Sequence, residues 1–288
     1  MFIGKRTLIA SFYLLMPLIA AAQGPRAVTL KVEYEKSKSG LEYKYHAISH
    51  DYCPYYIVVD LSRITNYEIP GTKHVATLHP GQNYLFRLKN RVSISSTSGI
   101  RYSYYLGNIN AKVDAEYRYA LPIAPGDSVR IKHNRGKLIF NLKHTSDTVY
   151  ACRDGIVCSD EFIAKNLKGT QITIYHKDGS FAQYSALQKI LTQPGKPVKT
   201  GMPIAIVGTN EKGTGMLEIQ FYFLDENKIK DTESKSKHSI LRPFFHTQNY
   251  GYIRLDDNTT YIGEITDEVL MQDMSKKEQE QYLKRKKK

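Results

Sequence analysis

The stretch from Val149 to Phe223 leaves this chain few folds to choose from. It runs VYACRDGIVCSD, ITIYHKDGSFAQYSAL, PGKPVKTGMPIAIVG and GMLEIQFYF, each a short alternating apolar run closed by a turn signal. Alternation with a period of two buries one face of a strand and no face of a helix. Ile172 to His176 and Phe181 to Tyr184 flank Lys177-Asp178-Gly179-Ser180 as two strands flank a hairpin loop. Asp154-Gly155 reads as a second such turn, because glycine takes the positive φ that tight hairpins need. Pro203 and Gly208 bracket a third run, Ile204 to Val207. In the last run Leu217, Ile219, Phe221 and Phe223 share one face, and Met216, Glu218, Gln220 and Tyr222 share the other. The first set predicts a core, the second a groove. The expectation is a compact antiparallel β unit.

In order, the segment holds V-Y-A-x-x-D-G-x-V, I-x-I-x-H-x-D-G with a Tyr following, G-x-x-V-x-x-G-x-x-I-A-x-V-G, and an alternating final strand. This order resembles the lysostaphin/LytM-type zinc peptidase domain, also described as a duplicated hybrid motif, over roughly Asp127 to Asp225. The resemblance implies a zinc held by an H-x-x-x-D pair and by the second His of an H-L-H-F-E strand. It also implies that the first His of that strand and a Y-x-H-L histidine assist the attacking water. Three protein ligands and one open position are what a catalytic zinc needs to acidify water.

The carry-over fails at each of these positions. Met216 and Glu218 stand where the two strand histidines belong, and Ala186 replaces the histidine of Tyr184-Ser185-Ala186-Leu187. Counted back without gaps from Val149, the upstream ligands fall on Gly136 and Phe140. His176 matches the family's strand motif, at a position that is not a zinc ligand. His144, Asp147 and Glu218 form a substitute ligand set on paper. The simpler reading of His144 to Asp147 is a polar turn ahead of a strand.

Met1 to Ala22 reads as a signal peptide, with Lys5-Arg6, the apolar run Thr7 to Ala20, and a small-residue cleavage site before Gln23. The apolar run is short for a membrane span and contains Pro17, so cleavage is favoured over anchoring and no transmembrane segment remains. Removing it takes away two positive charges from the formal +13. Such a balance suits an anionic envelope surface; export and the lack of any motif exclude nucleic acid. A periplasmic or otherwise exported location in a Gram-negative cell is expected.

From residue 23 to 126 further alternating runs predict a second all-β unit. They are Val28 to Tyr34, Leu41 to Tyr45, Tyr55 to Val59, Asn83 to Leu88, Val92 to Ser95, Ile100 to Leu106 and Ala115 to Ala120. Strand-sized runs without a helical period suggest a β-sandwich. The layout is similar to a β-domain that precedes lysostaphin-like domains in exported proteins of the Bacteroidetes. Its many tyrosines suit both sheet surfaces and stacking on sugar rings. His46 and His50 lie in strand-like surroundings, not on a metal-binding helix. Leu121 to Asp127, with two prolines, reads as a linker.

Residues 127–226 make the peptidase-like unit and 227–288 a C-terminal extension. Across its start, 225–237 is charged and loop-like, and Ile240 to Phe245 and Tyr250 to Leu255 add short strands. A helix from Asp267 to Tyr282 frays into a basic tail. Three cysteines allow one intramolecular disulfide. Cys152 and Cys158, on either side of Asp154-Gly155, read as buried thiols, although a looser loop would join them, and Cys53 stands alone.

The fold class is therefore all-β: a β-sandwich-like domain followed by a lysostaphin-type antiparallel domain. The resemblance implies a non-catalytic protein without cofactor, binding peptidoglycan or recruiting a cell-wall hydrolase through Tyr184, Ala186, Met216, Glu218 and Gln220. Two alternatives stand beside it. One is a zinc endopeptidase acting on peptidoglycan cross-links through His144, Asp147 and Glu218. The other is a structural envelope protein.

Overall fold

The structure, a computed structural model, describes residues 26–37, 40–64, 67–68, 71–90, 100–144, 146–159, 170–209 and 213–287. The leader read over 1–22 and the run Val92 to Ser95 lie outside these residues. The described chain is built mainly of β-strands, as its alternating sequence predicts. No helix among the described residues is long and apolar enough to cross a membrane.

The first unit contains β1 (Val28–Ser37), β2 (Gly40–Ser49), β3 (Tyr55–Asp60), β4 (Tyr67–Glu68), β5 (Lys73–Leu78), β6 (Gly81–Asn90) and β7 (Arg101–Leu106). One sheet runs β1-β2-β6-β4 and the other β5-β3-β7. Ile57, Val59 and Leu78 from one sheet and Tyr45, Ala47, Phe86 and Leu88 from the other share one core, which makes a sandwich. β3 shows the cause most plainly, with Tyr55, Ile57 and Val59 buried and their neighbours half-buried.

The second unit begins with β8 (Arg118–Ala120), β9 (Ser128–Asn134), β10 (Lys137–Leu142), β11 (Thr148–Tyr150) and β12 (Gly155–Val157). It continues with β13 (Thr170–Tyr175), β14 (Phe181–Ile190), β15 (Pro197–Val198), β16 (Pro203–Thr209), β17 (Gly215–Leu224), α1 (Glu226–Lys230) and β18 (His238–Ile240). The chain closes with β19 (Phe244–Thr247), β20 (Gly251–Ile253), β21 (Thr260–Ile262), α2 (Asp267–Met271) and α3 (Lys276–Lys286). Its main sheet runs β15-β12-β13-β14-β16-β17-β10-β9-β21, with β14 also bonded to β17. The expected hairpin forms between β13 and β14, closed by Gly179 at φ +92°.

Four expectations give way to the structure. Asp154-Gly155 is no hairpin turn: β11 pairs with β16, whereas β12 pairs with β13 and β15. The Asp154 carboxylate instead accepts from the backbone and hydroxyl of Thr200 and from Lys199. Cys158 is not a thiol; it forms a disulfide with Cys53, 105 residues away, while Cys152 is the buried free cysteine. That bond ties the first unit to the second. The Leu121 to Asp127 stretch is no spacer either. Leu121 and Ile123 lie in the second core, and the Pro122 carbonyl accepts from Tyr150 N–H. Finally, the tail is helical to Lys286. Ser275 and Glu278 form a capping box at the start of α3, and Lys286 bonds Asp267 at 2.7 Å.

The two units dock closely. Burial leaves the Asp51 carboxylate accepting N–H groups from Tyr52, Cys53 and, across the boundary, Ser159 at 2.8 Å, plus the Tyr55 hydroxyl. Gly107 turns at φ +122° with its Cα so close to Leu224 that a Cβ would sit 2.8 Å from that side chain. Tyr52 covers Gly195 in the same way.

Candidate functional site

β17 carries the two faces its alternation predicts. Leu217, Ile219 and Phe221 are buried in the second core, and Met216, Glu218 and Gln220 lie half-buried on the opposite face. Register extends that face across the sheet. Glu218 stands opposite Ile139 of β10 and Ser185 of β14, and Gln220 opposite Gln183, which is itself opposite Thr173 of β13. The result is a strip of uncharged polar side chains ending in one carboxylate. Glu218 is held by Lys137, whose ammonium lies 2.7 Å away. At the other end Thr173 Oγ1 and the Gln171 amide are buried with no partner among the described residues.

Of the predicted groove residues, Tyr184 does not belong. Its parity on β14 sends it to the core, fully buried, where its hydroxyl accepts the Cys152 N–H at 2.9 Å. Gln183 and Ser185 take the groove side. Ala186 sits at the end of the strip with φ +63°, beside a register shift in β14. The substitute metal set does not assemble. His144 is exposed, Asp147 accepts the His144 backbone N–H at 3.1 Å, and Glu218 is engaged by Lys137. Of the upstream positions, Gly136 turns β9 into β10 at φ +83° and Phe140 is buried in the core. Among the described residues no three His, Cys, Asp or Glu come together to hold a metal ion.

Where the strip meets the first unit it opens into a cleft of about 410 Å³. Tyr104 and Tyr105 of β7 and the ring of Tyr55 form one wall, and Gln183, Gln220 and Tyr222 the floor. Tyr55 is fixed by its bond to Asp51 and packs edge-on against Tyr104 at 5.8 Å. His238 closes the far side. Its Nε2–H donates to the Leu106 carbonyl at 2.7 Å, and burial pushes the imidazole down, so the ring is neutral at pH 7. Among the described residues neither the Gln183 nor the Gln220 amide has a protein partner, so both are open to a ligand.

Residues 132–230, from β9 through α1, match the sequence profile of Peptidase family M23. They are an M23 domain. No curated protein matches the chain. Solved structures similar to it include pseudoalterin, a deep-sea M23 metalloprotease, at 11% identity over 52% of this chain and 96% of that one, with TM-score 0.31. Csd3 of Helicobacter pylori is 13% identical over 90% and 76%, with TM-score 0.29. A lytM glycyl-glycine endopeptidase of Ruminococcus gnavus is 15% identical over 46% and 57%, with TM-score 0.28. The sequence profile alone carries the assignment.

A charged cluster that sequence reasoning missed joins the M23 domain to residues on either side of it. Arg153, just after β11, is 2% exposed. It donates to Asp178 at 2.8 Å and grips both oxygens of Asp273 at 3.0 and 3.2 Å. Its guanidinium lies 3.5 Å from the Tyr117 ring centroid. Burial pushes the Asp178 carboxyl up, but Arg153 and Ser180 hold it below the usual range. Beside them His176 is fully buried. Its Nδ1–H donates to the Asp154 carbonyl, and burial, then the charge of Arg153, pushes the ring down to about 4. The signal was present in the sequence as an Arg directly after the apolar run Val149-Tyr150-Ala151-Cys152.

Proposed function

We propose that this is an exported, non-catalytic M23 protein that binds peptidoglycan in the cleft between its two units. The observation carrying the reading is the polar face of β17, which offers a carboxylate already neutralised by Lys137 and no imidazole. A catalytic zinc needs ligands with an open coordination position, and the chemistry needs a group to move a proton. The residues present fit neither requirement, so no hydrolytic step is derived. The cleft supports binding in its place. Its volume is that of an ordinary ligand site. Tyrosine faces suit the planes of sugar rings, and the paired amides of Gln183 and Gln220 each offer a donor and an acceptor to acetamido and peptide groups.

Co-sedimentation with purified peptidoglycan sacculi tests the reading. The protein should pellet with sacculi and release no soluble fragments, and Tyr105→Ala or Gln220→Ala should weaken retention at least about tenfold, roughly 1.4 kcal/mol. Stoichiometric zinc together with released muropeptides would establish the endopeptidase instead.

A further inference from the structure

Among the described residues β1 ends its sheet, with one of its two edges paired. The parity of the free edge follows from one bond: His50 N–H donates to the Ala27 carbonyl at 2.8 Å. Odd-numbered residues of β1 therefore turn their backbone groups to β2, and Leu30, Val32 and Tyr34 turn theirs outward. The same three side chains prolong the core face of the sheet beyond the core. Val28 is buried and Leu30 half-buried, but Val32 is 44% and Tyr34 46% exposed. On the opposite face Lys31 and Glu33 form an ion pair at 2.8 Å. A ten-residue edge with no strand beside it among the described residues, apolar side chains and no proline is a template for another strand.

We propose that this edge pairs with β1 of a second copy of the chain, antiparallel about a two-fold axis through Val32. The outward backbone groups meet only in registers that set even-numbered residues opposite even-numbered ones. Centring on Lys31 would oppose two lysines, and centring on Glu33 two glutamates. Centring on Tyr34 would set Glu33 against the partner's Glu35. Centring on Val32 sets Lys31 against the partner's Glu33, twice by symmetry, and Leu30 against the partner's Tyr34. The charged pairs fall at the non-hydrogen-bonded positions, where side chains approach most closely. Leu30, Val32 and Tyr34 of each copy then cover those of the other, and the two sheets become one. The interface is isologous, so it closes at a dimer.

Sedimentation equilibrium of the purified protein tests this. A reversible dimer is expected, and Lys31→Glu or Glu33→Lys alone should weaken it at least about tenfold, because each sets like charges opposite each other twice. Mixing the two single variants should restore association, since every reversed charge then meets its opposite; recovery also shows that both variants are folded. Val32→Pro should abolish the dimer, because it removes an outward N–H and leaves the ladder to β2 intact. A monomer at every concentration, or a dimer indifferent to both reversals, would overturn the proposal.

Discussion

Two cation–carboxylate clusters, both with their cation in the M23 domain, are alike in geometry and opposite in setting. Lys137 meets Glu218 at 2.7 Å in the groove, with side chains 30% and 22% exposed. Arg153 meets Asp178 at 2.8 Å and Asp273 at 3.0 Å, with exposures of 2%, 8% and 11%. Water screens the first pair and supplies partners if it breaks. Nothing replaces the partners of the second. The groove is therefore free to vary at little cost to the fold, whereas the Arg153 cluster fixes the C-terminal segment through Asp273, which accepts from both Arg153 and the Tyr117 hydroxyl.

The largest effect is expected at Asp273. Asp273→Ala takes from a buried guanidinium one of its two carboxylates, leaving Asp178, and should cost about 3–5 kcal/mol, read as a lower midpoint in urea unfolding. Because Asp273 follows α2 and precedes α3, protease should also cut the C-terminal segment sooner in this variant. A loss below about 1 kcal/mol would place the Arg153 cluster in the same class as the groove pair.

A smaller effect is expected from His176, which lies against the same cluster. Its folded ring titrates at about 4, against roughly 6.5 in the unfolded chain. Between those pH values the unfolded state binds the extra proton. The stability due to a neutral ring is thus complete above pH 6.5 and lost as pH falls towards 4, by about 3 kcal/mol in all. Urea unfolding at pH 7 and pH 4.5 should show a steep difference that His176→Gln flattens. An equal slope in both proteins would remove His176 as its source.

Particular residues show how much was legible in the sequence. The alternation of Leu217, Ile219 and Phe221 carried the two faces of β17, because a strand's side-chain period is fixed. The absence of histidine at Met216, Glu218 and Ala186 needed no coordinates. What was not legible was pairing between distant segments. Cys158 finds Cys53, Arg153 finds Asp273, and β11 finds β16 only once the sheet has closed. Tyr184 was misplaced by one residue because the shift in β14 lies close to it, and a strand's parity decides burial. The Asp154-Gly155 dipeptide misled because a local turn signal says nothing about which strand arrives next to it.

The smallest effect is expected at the groove pair. Glu218→Ala and Lys137→Met should each change stability by less than about 1 kcal/mol, since both side chains keep access to water. Neither variant should take up zinc, for freeing Glu218 supplies one oxygen and no imidazole to complete a ligand set. Metal content after incubation with zinc and buffer exchange measures this. Zinc retained by Lys137→Met alone would mean that the ammonium occupies a metal position whose other ligands remain, and that the groove is a blocked site. With no zinc in either variant, the ion pair stands in a groove whose metal chemistry is gone at every position, and the polar strip beside it is left for binding.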